Sequence, residues 1–338
     1  MQSTMEKYAR RVENNEVNPV IHYNGLSSGL LLNPLEEEIP LEILGFGILQ
    51  LSSEPLIQKT GEKEMALVPQ DGTFEAEVNG ERFKGERQGG PFALGPGKSN
   101  ASALYVPSNS TLKIHGQGEM AFFEAPALGQ QKPFFRSSDE FAVVSRGDWV
   151  WRRDVVTLIS PAEGSSNLIV GETYSPPGLW SGTPLHRHDR HALESGESDH
   201  EEIYYHRFCW KKKTENEIGP YGVQILMDGD RLKKAYLITD RSMVAIPGGC
   251  HPVVAAPVSE LNYLWGLAGR TNKLAMWDIP EFVHLKHFEE IFKTLAGSRQ
   301  SKKMTKKKFK ELTKPYGFSG EEEALLRTIL MEKGYKIG

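Results

Sequence analysis

Histidine is the residue type whose distribution suggests chemistry, because five of the ten histidines fall between positions 186 and 206. His186 and His188 are separated by one residue, and on a β-strand this spacing places both imidazoles on one face. Two neutral imidazoles on one face can bind a divalent metal. His251 is the best candidate for a further ligand from a distant strand, because it follows a Pro-Gly-Gly turn and begins an apolar segment.

A carboxylate ligand is expected from the strand that the segment EEIYYHRF predicts. Side chains alternate along a strand, so one of Glu201 and Glu202 points inward and the other outward. Glu194 lies nearer to the paired histidines, but its segment HALESGESD has the composition of a loop. His191 and His200 lie among Asp, Glu, Ser and Gly, and we interpret both as surface histidines.

Short β-strands are predicted for most of the chain up to about residue 280. Thirty-three glycines and twenty prolines separate runs rich in β-branched and aromatic residues, such as ALYVP and MAFFEAP. This pattern is typical of an all-β sandwich or barrel. Residues 41–127 and 167–269 form two such units and suggest a duplicated barrel. Turn signals at Asp71-Gly72 and Asn79-Gly80 flank an alternating strand in the first unit and predict a hairpin.

Three segments follow from these patterns. Residues 1–150 are predicted to form a degenerate barrel with a leader, since the only histidine between 41 and 127 is His115. Residues 151–282 form the metal-binding barrel. Residues 283–338 form a helical, Lys-rich extension, in which Phe282, Leu285, Phe288 and Phe292 lie on one side of the first helix. The lysines of SKKMTKKKFK have two interpretations: contact with RNA or another anionic surface, or a solvated face. We favour the solvated face.

The composition argues against several classes of protein. Forty Lys and Arg against forty-four Asp and Glu leave a formal charge of −4, which does not suit a basic nucleic-acid coat. The sequence contains no run of about 18 apolar residues, so it predicts no membrane span. The first residues do not resemble a secretory signal. The two cysteines, Cys209 and Cys250, make a poor disulfide framework. We therefore expect a cytoplasmic protein without a membrane or nucleic-acid partner.

The pattern of His-x-His, glutamate, Pro-Gly turn and late histidine resembles the metal motif of the cupin superfamily. The longer blocks LIVGETYSPPGLWSGTPLHRHD, EEIYYHRF and IPGGCHPVVAAP resemble the 5-deoxy-glucuronate isomerase family of inositol catabolism. ALYVP, the EAPA block and SRGDWVWRRDV extend this resemblance into the first half of the chain. The resemblance covers roughly residues 40–280.

This resemblance implies an all-β bicupin fold and an aldose–ketose isomerase, with a divalent metal (zinc, manganese or iron) in the second barrel. The implied ligands are His186, His188, Glu202 and His251. Glu202 is preferred to Glu201 because it directly precedes the Ile-Tyr-Tyr strand. The glutamate lies fourteen positions beyond the second histidine, farther than is usual in cupins, so we expect an insertion between the two ligands.

The sequence departs from the family at positions beside the expected metal. His206 and Cys250 stand where tyrosine is usual, and Gly248 replaces an arginine. The lysine-rich extension is not a feature of the family. These differences leave the metal site intact and leave the identity of the sugar acid open.

Four further residues are candidates for contact with the substrate. Glu172 is either the general base of the isomerisation or a structural carboxylate paired with arginine. Tyr204 shares a strand face with Glu202 and either offers its phenol to the substrate or packs in the core. Arg207 and Arg153 either bind the substrate carboxylate or form surface salt bridges.

The leading functional hypothesis is a metal-dependent isomerase that converts 5-deoxy-glucuronate to 5-dehydro-2-deoxy-gluconate. One alternative is a related metal-cupin enzyme, either another uronate isomerase or an Fe(II) dioxygenase, because three histidines and a glutamate also bind iron. Another alternative is a cupin that binds a sugar acid without turnover. The sequence leaves the oligomeric state open, a homo-oligomer included.

Overall fold

Two β-barrels and a helical C-terminal extension form the structure, a computed structural model that describes residues 3–210, 219–297 and 302–338. The predicted all-β architecture with two barrels and a short helical extension is confirmed. In the described part of the chain, no helix has the length and apolar character needed to cross a membrane.

The N-terminal segment contains helix α1 (Thr4–Glu13) and strand β1 (Val20–His22). Ser3 and Glu6 form a capping box at the start of α1, since each side chain accepts a hydrogen bond from the other's backbone N–H. The apolar face of α1 packs into the core of the second barrel. Strand β1 pairs with a strand of the second barrel, so the predicted leader of the first barrel lies against the second one.

The first barrel consists of eight strands: β2 (Gly29–Leu32), β3 (Gly45–Leu51), β4 (Leu56–Lys59), β5 (Lys63–Val78), β6 (Glu81–Arg87), β7 (Ala103–Val106), β8 (Thr111–Pro126) and β9 (Phe134–Arg136). Their order in the sheet is β2-β3-β8-β5-β7-β9, and β4 and β6 pair with β8 and β5. Apolar side chains such as Leu67, Phe74, Leu104 and Phe122 fill the interior. This barrel therefore contributes packing in place of a polar site.

The hairpin of the first barrel differs from its prediction. Asn79 and Gly80 form the turn between β5 and β6 with positive φ angles of 51° and 91°, as a tight primed turn requires. Asp71 and Gly72 lie within β5, where the pairing with β8 shifts register between Pro69 and Asp71. The prediction of a turn at Asp71-Gly72 is therefore wrong, because this pair belongs to a bulged strand.

The described residues of the second barrel, which exclude 211–218, form thirteen strands: β10 (Val144–Arg146), β11 (Arg153–Ile159), β12 (Ile169–Ser175), β13 (Trp180–Ser181), β14 (His186–Arg187), β15 (Asp189–Ala192), β16 (Glu197–Cys209), β17 (Tyr221–Asp228), β18 (Leu232–Thr239), β19 (Ser242–Ile246), β20 (Val253–Ala255), β21 (Glu260–Gly269) and β22 (Trp277–Asp278). One sheet has the order β1-β19-β16-β21-β12-β11-β10, and a second sheet has the order β13-β20-β17-β18. Strand β14 pairs with β22. The two sheets enclose the candidate site.

The two barrels pack through a shared apolar cluster to which both contribute buried side chains, including Phe46 and Phe123 from the first and Val170 and Tyr205 from the second. Buried polar contacts also cross this interface. The Glu64 carboxylate, for example, accepts hydrogen bonds from the backbone N–H groups of residues 166–168.

The extension consists of α2 (His284–Gly297), β23 (Lys303–Met304), α3 (Lys306–Thr313), α4 (Gly320–Glu332) and β24 (Lys336–Ile337). The apolar face of α2 packs with Trp151, which belongs to a short 3-10 turn at Trp149–Trp151. Phe282, predicted to lie on this face, is exposed, and Ile291 and Leu295 extend the face instead. The lysines at 302, 303, 306, 307, 308 and 310 are exposed.

Candidate active site

Four side chains predicted as metal ligands meet inside the second barrel. His186 begins β14, His188 follows it, Glu202 lies on β16, and His251 lies between β19 and β20. Among the described residues, His188, Glu202 and His251 form the one group of His, Cys, Asp or Glu side chains suited to binding a metal, with ligand atoms within 4.8 Å of one another. The Glu202 Oε2 atom lies 3.3 Å from His188 Nε2 and 3.0 Å from His251 Nε2.

His186 lies at the edge of this group. Its ring centroid is 5.5 Å from that of His251 and 6.4 Å from that of His188. All three rings and Glu202 are buried or half-buried. Three imidazoles and one carboxylate are a donor set that binds zinc, manganese or iron.

Backbone carbonyl groups orient the three imidazoles. The Nδ1 atoms of His186, His188 and His251 lie 3.0, 3.1 and 2.8 Å from the carbonyl oxygens of Pro184, His200 and Gly249. A carbonyl oxygen only accepts hydrogen bonds, so each Nδ1 carries the proton and each Nε2 has a free lone pair. The Nε2 of His251 is buried without a hydrogen-bond partner. This orphaned acceptor fits a bound metal ion.

The turn before His251 depends on two glycines. Gly248 and Gly249 have φ angles of +146° and +74°, which residues with a side chain rarely adopt. A Cβ atom on Gly248 would lie 2.4 Å from the Asp189 Cβ, and the Asp189 carboxylate accepts a hydrogen bond from the Gly249 N–H. Asp189 directly follows His188, so this contact connects the turn to the strand segment that carries the paired histidines.

The protonation states of Glu202 and His186 suit a metal site. Burial disfavours the charge of the Glu202 carboxylate, but the adjacent His188 and His251 rings, whose Nε2 atoms face it, outweigh burial and lower its pKa to about 2. Burial, with the neighbouring His251, lowers the pKa of His186 to about 3. At neutral pH the site therefore presents a carboxylate and a neutral imidazole, which are the forms that bind metals.

A cavity of about 690 Å³ adjoins the cluster. His186, His188 and Glu202 line it, and so does Tyr204. The Tyr204 ring centroid lies 5.9 Å from that of His251. Burial, with the nearby Glu202 carboxylate, raises the pKa of Tyr204 well above its usual range. The phenol therefore stays protonated and can donate a hydrogen bond to a molecule in the cavity.

The other predicted contacts with substrate divide between two faces. Arg153 lines the cavity. Arg207 lies on the opposite face of β16, where its Nε donates a hydrogen bond of 3.0 Å to Asp240. Glu172 is fully buried on the side of β12 that packs against the first barrel, where Arg87 binds both of its carboxylate oxygens. The structure brings Tyr204 and Arg153 to the cavity and does not bring Glu172 or Arg207 there.

His200 and Cys250 are neighbours of the metal ligands, and both are buried. His200 is 1% exposed and supplies the carbonyl that orients His188, so its interpretation as a surface histidine is wrong, whereas His191 is exposed. The loop-like composition around His200 concealed the start of β16 at Glu197. Burial raises the pKa of the Cys250 thiol to about 11, which makes it a poor nucleophile.

One arginine and one face of a helix line the cavity and were not predicted from the sequence. Arg146 lies within the block SRGDWVWRRDV but was not predicted to contact the substrate. The polar face of α2 lines the cavity with Lys286, Glu289, Glu290 and Lys293. These four positions have the i, i+3, i+4, i+7 spacing of one helix face. That spacing was the available signal, since they lie opposite the apolar side of α2.

The fold and the His/Glu cluster define a protein with two cupin barrels and a candidate metal site in the second. Bacillus subtilis oxalate decarboxylase shares this fold, with a TM-score of 0.52 over 84% of this chain and 85% of that chain, at 10% identity. An IolB-like protein from Salmonella typhimurium LT2 is more similar, with a TM-score of 0.71 and 25% identity over 80% of this chain and all of that one.

Residues 27–285 match the KduI/IolB family, so the chain belongs to that family. A relative from Geobacillus thermodenitrificans, named 5-deoxy-glucuronate isomerase, is 28% identical over 71% of this chain and 85% of its own length. Another so named, from Geobacillus kaustophilus, is 29% identical over the same shares. These relatives confirm the resemblance seen in the sequence and make this chain an enzyme of an isomerase family.

Proposed function

We propose that this protein is a metal-dependent aldose–ketose isomerase that converts 5-deoxy-glucuronate to 5-dehydro-2-deoxy-gluconate in the catabolism of myo-inositol. The single observation that carries the proposal is the His/Glu cluster lining a cavity in a member of the KduI/IolB family. The names of the relatives supply the substrate. We expect the enzyme to work in the cytoplasm.

The metal would be held by His186, His188, Glu202 and His251, with zinc, manganese and iron all compatible with these donors. A divalent metal supplies Lewis-acid stabilisation of negative charge on the sugar oxygens. The carbonyl contacts of the imidazoles fix their ring orientations in advance. The site therefore requires little rearrangement to bind the ion.

Isomerisation moves hydrogen between C1 and C2 of the opened sugar, so proton donors and acceptors must contact these positions. Tyr204 holds a proton on its hydroxyl beside the cluster, where it can donate to a sugar oxygen as charge develops there. Glu172 cannot serve as the base in this arrangement, because Arg87 and Tyr174 bind its carboxylate on the other side of the sheet.

Metal content and turnover, measured on the same samples, test the proposal. Elemental analysis of the purified wild type should find about one metal ion per chain, and the protein should convert 5-deoxy-glucuronate. His186→Ala and His251→Ala should lose both properties. His191→Ala, at an exposed histidine outside the cluster, is the matched control and should lose neither.

Two outcomes would contradict the proposal. Bound metal without conversion of 5-deoxy-glucuronate would keep the metal site but assign another substrate to it. A wild type that binds no metal after reloading would remove the metal from the mechanism.

A further inference from the structure

Two arginines face each other at one wall of the cavity. Strand β10 pairs with β11 in the register that places Arg146 directly opposite Arg153. Both residues line the cavity that His186, His188 and Glu202 also line. Like charges directly opposite each other destabilise an antiparallel pair of strands. Arg146 is exposed and Arg153 is half-buried, so an anion bound between the two guanidinium groups would relieve this repulsion.

Among the described residues, no carboxylate forms an ion pair with Arg146 or Arg153, although the Glu289 carboxylate of the same cavity favours the Arg153 charge from a greater distance. Neither guanidinium group has a carboxylate oxygen within 4.0 Å, whereas the adjacent Arg152 pairs with Asp154 at 3.7 Å. Arg153 Nη1 instead donates a hydrogen bond of 3.2 Å to the carbonyl oxygen of Trp151. The lysines of the cavity wall are already neutralised, since Lys293, for example, binds Glu289 at 2.6 Å.

The backbone holds Arg153 in this position. Trp151 is buried in the apolar cluster of the C-terminal extension, and it fixes the turn that leads into β11. Gly147 has a φ of +68°, and a Cβ atom there would lie 2.2 Å from the Trp151 carbonyl oxygen and 2.9 Å from Arg153 Nη1. Burial lowers the pKa of Arg153, and the facing Arg146 charge lowers it as well, against an opposing contribution from the Glu289 carboxylate.

We infer that Arg146 and Arg153 form the subsite that binds the carboxylate of a sugar-acid substrate while the metal cluster binds its reacting end. The planar guanidinium group matches a carboxylate with two parallel hydrogen bonds, which favours this occupant. The inference rests on the proposed function for the location of the reacting end. Arg146 takes the role predicted for Arg207 in binding the carboxylate, because Arg207 faces away from the cavity.

Binding of small sugars to the metal-loaded full-length protein tests the subsite without turnover. Isothermal titration calorimetry would compare D-glucuronate, which carries the carboxylate, with D-glucose, which does not. We expect Arg146→Ala and Arg153→Ala each to raise the Kd for glucuronate by about tenfold or more, as loss of a charged hydrogen bond predicts. The Kd for glucose should not change, and Arg153→Lys should retain part of the affinity.

Arg152→Ala is the matched control, because Arg152 is exposed and does not line the cavity. Its glucuronate affinity should equal that of the wild type. Metal content and melting temperature, measured on each variant, separate a lost contact from a lost fold. On 5-deoxy-glucuronate, the two alanine variants should raise KM more than they lower kcat.

The subsite is overturned if the wild type does not bind glucuronate, if both alanine variants bind it as the wild type does, or if they weaken glucose binding equally. Competition by inorganic phosphate as strong as that by glucuronate would assign the arginines to a phosphorylated ligand instead. The two proposals fail separately. Charge-dependent binding without isomerisation would overturn only the proposed function, and isomerisation with an unchanged KM in both variants would overturn only the subsite.

Discussion

Tyr204 is the side chain best placed to exchange a proton with a substrate. It lies two residues from Glu202 on the same face of β16, and its raised pKa keeps the hydroxyl protonated. We predict that Tyr204→Phe lowers kcat by about a hundredfold, the scale typical of a positioned proton donor, while metal content stays at the wild-type level. Steady-state kinetics on metal-loaded protein measures this.

Tyr174→Phe is the control for this change, because the Tyr174 hydroxyl binds Glu172 away from the cavity. It should retain the wild-type kcat. A Tyr204→Phe enzyme whose kcat stays within about twofold of the wild type would reduce Tyr204 to a packing residue.

At the scale of residues, the sequence alone separates some of the candidate site residues but not all of them. Strand alternation was enough to choose between candidates on β16, because Glu202 and Tyr204 differ by two positions whereas Glu202 and Arg207 differ by five. The partner of Glu172 was not accessible in this way. Arg87 lies eighty-five positions earlier, and only the packing of two barrels brings the pair together.

Helix α2 has two roles: its apolar side packs in the core of the extension, and its polar side lines the cavity. Phe288 is fully buried and contacts the rings of His284, Phe292 and Phe318. We predict that Phe288→Ala costs about 3–5 kcal/mol of local stability. Hydrogen exchange should then quicken in residues 284–297 and 306–332, with a raised KM and unchanged metal content.

Phe282→Ala is the matched comparison, because Phe282 is 37% exposed and lies outside the buried cluster. Exchange in the extension should barely change in this variant. Equal acceleration across both barrels in Phe288→Ala would contradict a local role, since it would mean that the extension and the barrels unfold as one unit.

The elements themselves could be predicted to different degrees. Helical spacing identified α2, but the amphipathic pattern could not tell whether its polar side meets water or a cavity. That outcome depends on Trp151, which docks into the extension from the second barrel. The Asp71-Gly72 pair shows a similar limit of local patterns. This dipeptide is typical of turns, but the residues on both sides of it pair with β8, so the chain accommodates it as a bulge within β5.

At the scale of the whole molecule, the second barrel carries the candidate active site and the first barrel supports it by packing. The first barrel has an apolar interior, and its outer face supplies much of the cluster between the barrels. The composition and turn spacing of the sequence predicted two β units, and the motif assigned the ligands to the second. The attachment of α1 and β1 to the second barrel was not foreseeable, because no local signal encodes pairing across more than two hundred residues.

The buried ion pair between Arg87 and Glu172 is the strongest test of how the barrels depend on each other. Arg87 on β6 and Glu172 on β12 are fully buried, with distances of 2.5 and 2.9 Å between their paired atoms. Glu172→Gln leaves the Arg87 charge buried without its counterion, so we predict a loss of about 3–5 kcal/mol in the free energy of unfolding. Urea denaturation measures it.

The double variant Arg87→Met, Glu172→Leu separates ion pairing from packing. It should be more stable than Arg87→Met alone or Glu172→Leu alone, because removing both charges removes the desolvation penalty along with the attraction. Metal content should match the wild type in all three variants, since the pair lies on the side of β12 away from the cavity. Additive losses in the double variant would contradict a coupled pair. Loss of turnover in Glu172→Gln at wild-type stability would instead restore Glu172 as a catalytic candidate, reached through a rearrangement of the interface.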